Sequence, residues 1–208
     1  MKRKSQLIDP NWVNRNQEIV SKYAGKWIAI NNEKGIIGYN DSLKELKRVC
    51  DAMHIPYIFY SVSRHFGKVR ILPIRFKSVT THNWQPLYPV KLINGKNEIN
   101  DLFLIDSGAD CSLINKDAGE LLGFRKQRED RILTANSVGG IIEYIFKMVD
   151  CVIDAHNLTI PVAWVQTEDV EDSIIGRDVV FDYFDIEFKQ RLEKIIFKKV
   201  NKQTSIHL

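Results

Sequence analysis

The segment Leu102-Phe103-Leu104-Ile105-Asp106-Ser107-Gly108-Ala109-Asp110 drives four apolar residues directly into a carboxylate, a hydroxyl and a glycine. A carboxylate at the end of a buried strand is costly unless it is hydrogen-bonded, paired or used in chemistry. The next two residues supply the means of keeping it. Gly108 lets the backbone turn sharply and exposes an amide at close range, and Ser107 offers a hydroxyl that can lock a neighbouring loop. Asp106 is therefore a candidate for proton transfer. Asp-Ser-Gly is also a good turn, and the tripeptide alone does not choose between the two readings.

Two later segments share its texture. Asn136-Ser137-Val138-Gly139-Gly140-Ile141-Ile142 places a glycine pair between strand-like runs, as the tip of a mobile hairpin would. Ile174-Ile175-Gly176-Arg177-Asp178 brings a second apolar pair into a glycine, with Gly176 standing 70 positions after Asp106.

The elements that must position these residues are short strands. From about Gly67 the chain runs through KVRILPIRF, YPVKLIN, NDLFLID, YIFKMVDCVID and TIPVAWVQ, each apolar or alternating over four to eight residues. Turn chemistry at Asn94-Gly95 and at Asp154-Ala155-His156-Asn157 separates them. Only NKDAGELLGF, capped by Asn115 and stopped near Gly123, reads as a helix in this part. Closely spaced strands with turns predict a β-barrel or sandwich.

The first third reads differently, as a small α+β unit. A helix opens at Pro10-Asn11, with Trp12, Val13, Ile19 and Val20 at helical spacing, and Gly25 ends it. KWIAINNEKGIIGYN predicts a hairpin, Asp41 or Ser42 caps a second helix with Leu43, Leu46, Val49, Cys50 and Met53 on one face, and IPYIFYSV predicts a strand. The change of texture sets a boundary between residues 1–66 and 67–208.

Composition narrows the class. The 208 residues are 44% apolar and 27% charged, enough for a real core. The net charge of +4 is uneven: residues 1–66 hold 11 basic and 6 acidic side chains, residues 67–208 hold 19 and 20. No basic stripe interleaved with aromatics follows, so this surplus does not favour a nucleic-acid partner. Cys50, Cys111 and Cys151 have no short spacing and an odd count, which fits a reducing, cytoplasmic setting rather than a disulfide framework. No apolar run reaches signal-peptide or membrane-span length. His54, His65, His82, His156 and His207 have no ligand spacing, so no zinc site is expected, and no motif here implies another metal or an organic cofactor.

Taken together, the order strand, Asp-Ser-Gly-Ala-Asp, Gly-Gly hairpin, Ile-Ile-Gly-Arg-Asp closely resembles the retroviral-type aspartic proteases, the retropepsins, over about Trp84 to Phe188. YAGKWIAINNEKGIIGYNDSLKEL resembles a family of short uncharacterised prokaryotic domains and carries no chemistry. There Tyr23, Trp27 and Tyr39 read as packing aromatics rather than a ligand cage. The resemblance implies a mainly β, retropepsin-like closed barrel preceded by a small α+β domain. It implies Asp106 as the catalytic carboxylate, with Ser107 and Gly108 completing the catalytic loop. Val138, Gly139, Gly140 and Ile141 would form a flap over substrate, Gly176 would pack near the loop, and Arg177 would reach Asp110. A guanidinium fork suits that last pairing; a plain surface ion pair is the alternative. Val138, Ile141, Ile142 and Ile174 are the expected pocket-lining residues, each equally open to a core role.

The departures are three. Serine replaces the commoner threonine after the catalytic acid, Asp178 stands where many viral members have asparagine, and DIEFKQRLEKIIFKK reads as a strand hairpin where viral members end in a short helix and one strand. The last puts the viral type of dimer contact in doubt.

Peptide hydrolysis of this kind holds a water between two carboxyls, one ionised to take its proton and one protonated to polarise the scissile carbonyl. Two carboxyls about 3 Å apart share one proton, whereas a lone carboxylate of usual pKa about 4 is fully ionised at neutral pH. Asp150, Asp172, Asp178 and Asp182 are not followed by Ser/Thr-Gly and do not repeat the setting of Asp106. A two-fold homodimer contributing Asp106 twice is the economical solution. Its substrate would be an extended polypeptide bound by strand-like hydrogen bonds. A different class, a non-hydrolytic dimerisation or peptide-binding module on the same fold, is the rival expectation.

Overall fold

The computed structural model describes residues 9, 11–64, 84–137, 140–167, 170 and 172–200. The expected strand KVRILPIRF lies outside them, as do the flap residues Val138 and Gly139.

The N-terminal stretch begins with two four-residue helices, α1 (Trp12–Arg15) and α2 (Gln17–Val20), where the sequence predicts one. Asn16 interrupts them at φ −117°, ψ 28°, outside helical space, with its side-chain amide donating to the Trp12 carbonyl at 2.7 Å. Such local bonding by asparagine competes with helix continuation. Strands β1 (Lys26–Asn31) and β2 (Gly35–Asn40) form the expected hairpin. Helix α3 (Leu43–Asp51) starts at Ser42, whose hydroxyl accepts the Glu45 amide at 3.4 Å. Leu43, Leu46 and Cys50 are buried on its inner face, whereas Val49 and Met53, expected there, are exposed. Strand β3 (Ile58–Val62) then pairs antiparallel with β1.

The rest is built of strands. These are β4 (Leu87–Asn94), β5 (Asn97–Ile105), β6 (Ser112–Ile114), β7 (Leu133–Ser137), β8 (Gly140–Ile153), β9 (His156–Val165) and β10 (Ile174–Ile175). Neighbours run in the order β10-β6-β9-β8-β4-β5, and β10 also pairs with β5. The ring therefore closes, giving the mainly β, closed-barrel architecture with a small α+β region before it. Strand β7 hangs on β8 as the outer half of a hairpin. Helix α4 (Lys116–Leu121) is the expected one, with the Asn115 side chain accepting the Ala118 amide at 2.9 Å. A further helix that the strand-rich reading missed, α5 (Val180–Tyr183), follows β10. Four residues leave too little periodicity to show in sequence. The tail forms the expected hairpin of β11 (Phe184–Lys189) and β12 (Lys194–Lys199).

The two stretches share one sheet, because β3 lies parallel to β5 at Phe59 opposite Asp101. They share their apolar interior as well. Trp27, Leu46 and Phe59 pack in one cluster with Leu92, Phe103 and Ile175, and Ile28, Ile58 and Tyr60 pack with Leu87 and Leu102. The Trp27 indole also donates to Asp117 of α4 at 3.2 Å. Trp27 is thus a core residue as expected, while Tyr23 and Tyr39 form a ring pair 5.0 Å apart with Tyr39 largely exposed. Among the described residues no helix is long and apolar enough to cross a membrane.

Candidate active site

Asp106 follows the last residue of β5, half-buried at the mouth of the barrel. Its amide donates to the Ile175 carbonyl at 3.0 Å, so β10 fixes its backbone. Its carboxylate accepts the Gly108 amide at 2.8 Å, and its carbonyl accepts the Ala109 amide at 3.3 Å. A Cβ on residue 108 would lie 3.2 Å from that carboxylate, which accounts for glycine there. Ser107 is exposed at the outer edge of the turn.

Across the loop, the Arg177 amide donates to the Ala109 carbonyl and the Asp178 amide to the Asp110 carbonyl, each at 2.9 Å. The expected contact between the Arg177 guanidinium and the Asp110 carboxylate is present through Nη2 and Oδ1. Both side chains are more than half exposed, and such a pair contributes about 0–1 kcal/mol. The two backbone bonds, rather than the ion pair, hold the loop. Gly176 sits against Cys111: a Cβ there would come within 2.3 Å of the Cys111 carbonyl oxygen. Its amide donates to the buried Ser112 hydroxyl at 3.2 Å.

The loop 108–111 forms one wall of a cavity of about 890 Å³, open to solvent. Leu113, Ala135, Ile142, Tyr144, Phe146, Ala163, Ile174 and Phe181 make its apolar side; Asp110, Arg177, Asp178 and Asp182 line its polar rim. Of the expected pocket residues, Ile142 and Ile174 line it. Ile141 does not: alternation along β8 turns it to the other face, where it is 70% exposed. Gly140 begins β8 opposite Ser137. The Cys111 thiol beside the cavity is pushed upward in pKa by burial and then by Asp110 and Asp178. Among the described residues no group of three His, Cys, Asp or Glu could hold a metal.

Sequence reading missed Ser112, and with it Asp101 and Ser173, which are buried and bonded to each other. It also missed Val179, held at φ 66° between the loop anchor and α5, a costly place for a β-branched residue.

The arrangement is that of a carboxylate presented by a strand end, braced by a second strand, beside an apolar cleft. Residues 89–179, rather less than half of the chain, match the family model described as aspartyl protease. Residues 18–62 match a family of unknown function, DUF5678. The resemblances drawn from Asp-Ser-Gly-Ala-Asp with Ile-Ile-Gly-Arg-Asp, and from the Gly-Lys-Trp stretch, are thereby borne out. A solved structure of the EIAV protease complexed with the inhibitor HBY-793 matches at 21% identity, covering 50% of this chain and 93% of that chain, with a TM-score of 0.40. A search of the curated proteins finds no match.

Proposed function

We propose that the protein is a homodimeric aspartic endopeptidase in which a water, held between the Asp106 carboxyls of two copies, attacks the peptide carbonyl. The observation that carries this reading is the setting of Asp106. It stands at the end of a greasy strand, its backbone is braced by β10, its carboxylate is held by the Gly108 amide, and its loop walls an apolar cleft. A purely structural strand end has no need of that acid. One carboxyl of the pair, ionised, takes the water's proton, while the other, protonated, donates to the scissile oxygen. The described chain repeats this strand-end setting nowhere else, so the second carboxyl comes from a second copy. Ile142, Tyr144 and Ile174 are suited to take apolar side chains of an extended peptide, with the β7–β8 hairpin covering it.

Asp106→Asn tests the reading. It should abolish cleavage of a peptide library across pH 4–7 while sedimentation still reports a dimer. Parent-level cleavage by that variant, or cleavage by a strictly monomeric parent, would overturn it. A stable dimer that cuts no peptide would favour a peptide-binding module instead.

A further inference from the structure

Among the described residues, Asp101 is the only acidic or basic side chain that is buried, at 2% exposure. A carboxyl this deep persists where its hydrogen bonds are met, and replacing it by an apolar residue would often stabilise the fold. Its presence therefore points to a task other than stability. Its position indicates which one.

Asp101 lies in β5, five residues before Asp106. One edge of β5 is shared by two strands in succession: β3 pairs at Asp101 itself, and β10 pairs at Leu104 and Ile105. Asp101 stands at the fork. Its Oδ1 accepts the Leu102 amide and its Oδ2 accepts the hydroxyl of Ser173, both at 2.8 Å. Ser173 is the residue immediately before β10, and its carbonyl accepts the Leu104 amide at 2.9 Å. The start of β10 is thus tied to β5 at both the side chain and the backbone of Ser173. The next bond along the same ladder is the one from the Asp106 amide to Ile175. With two residues only, β10 has little ladder of its own with which to keep its place.

We propose that Asp101 is a positioning residue for the catalytic loop: by holding Ser173 it fixes β10, and through β10 the backbone of Asp106. The role is structural in means and kinetic in effect. It explains why a polar pair is kept where β3, β5 and β10 meet, a place where apolar side chains would pack as well.

Amide hydrogen exchange by NMR on the full chain tests the clamp, and peptide cleavage tests its consequence; the kinetic arm rests on the peptidase reading above. Ser173→Ala should speed exchange of the Leu104 and Asp106 amides by about tenfold, the equivalent of one lost buried hydrogen bond, while the β8–β9 amides keep parent rates. Ser173→Thr, which restores the hydroxyl, should restore protection. In cleavage, Ser173→Ala should lower kcat about tenfold with KM unchanged. Parent-like exchange of both amides in a folded Ser173→Ala protein overturns the proposal. Should that variant fail to fold, Asp101→Leu keeps much of the bulk and removes every hydrogen-bonding partner of the Ser173 hydroxyl at this position. It should raise exchange at the same two amides, and parent rates there overturn the proposal equally. A parent protein that cleaves nothing removes the peptidase reading, and the exchange result still decides the clamp.

Discussion

At Gly176 the chain has no room for a methyl group. A Cβ would stand 2.3 Å from the Cys111 carbonyl oxygen and 3.0 Å from that of Ala109, both backbone atoms of the loop that carries Asp106. Gly176→Ala must therefore push the loop away from β10. It should destabilise by about 2–4 kcal/mol in urea titration and remove cleavage together with it. Asp101 gives a prediction of opposite sign. Burial pushes its carboxyl up to about 7, against the lowering effect of its bonds from Ser173 and Leu102. The Tyr60 phenol of β3, itself raised by burial and then by the charges of Asp172 and Asp101, is electrically coupled to this place. A carboxyl whose folded pKa is raised contributes stability that is present below the unfolded value near 4 and is lost as pH rises through 7. The parent should weaken over that interval, and Asp101→Asn, with no charge to bury, should not. Thermal melts at pH 4.5 and pH 8 should show the variant gaining on the parent by a shift on the order of a few kcal/mol. Asp106 and the Asp110–Arg177 contact were legible in the sequence because their types stand in a compact, recognisable pattern. Ser112, Asp101 and Ser173 were not. Serine and aspartate are ordinary surface residues, and these three belong to neither of the two motifs, so only the closed sheet shows that Ser112 meets Gly176 and Asp101 meets Ser173.

Strand identity was readable for β4, β5, β8 and β9 because alternation and turn residues agree, as at Asn94-Gly95, where Gly95 sits at φ 60° between β4 and β5, but not for the two- and three-residue strands β10 and β6. Helix continuity was not, because Asn16 and the four residues of α5 offer too little period to set against local bonding. The facing of β8 was half readable: Ile142 turns toward the cavity and Ile141 away from it, which apolar character alone cannot distinguish. The cavity-facing row of β8 (Ile142, Tyr144, Phe146) has small side chains as cross-strand neighbours, Ala135 opposite Ile142 and Ala163 opposite Phe146. Those alanines leave the space. Ala135→Leu, at a half-buried position, should raise KM for peptides with bulky apolar side chains several-fold and leave the urea midpoint near that of the parent; steady-state kinetics on a graded peptide series checks it. Strand β8 is also tied to the loop before β7, since Lys147 contacts both carboxylate oxygens of Asp130 at 2.7 Å. That ammonium holds the Asp130 carboxyl below its usual range. The contribution is present above pH 4 and fades as pH falls through the lowered value. Lys147→Gln should therefore make the melting temperature less sensitive to acid than that of the parent.

The whole molecule is less divisible than its sequence. Two texturally distinct stretches match two different families, yet Phe59 pairs with Asp101 and both apolar clusters draw on both stretches. A fragment of residues 84–208 would expose the faces of Leu92, Phe103, Leu87 and Leu102 that β1, β3 and α3 now cover. It should show no cooperative urea transition, whereas the full chain should show a single one by both circular dichroism and tryptophan fluorescence. Two transitions in the full chain would contradict this. The seam at Phe59 also bears on descent. A segment joined to its neighbour by a flexible tether can be traded between lineages freely, but one welded by interlocking side chains and a shared ladder cannot. Recombination that swapped residues 18–62 for a cousin's copy would leave holes and clashes on both sides of the weld, so the two halves of this chain are bound to drift together.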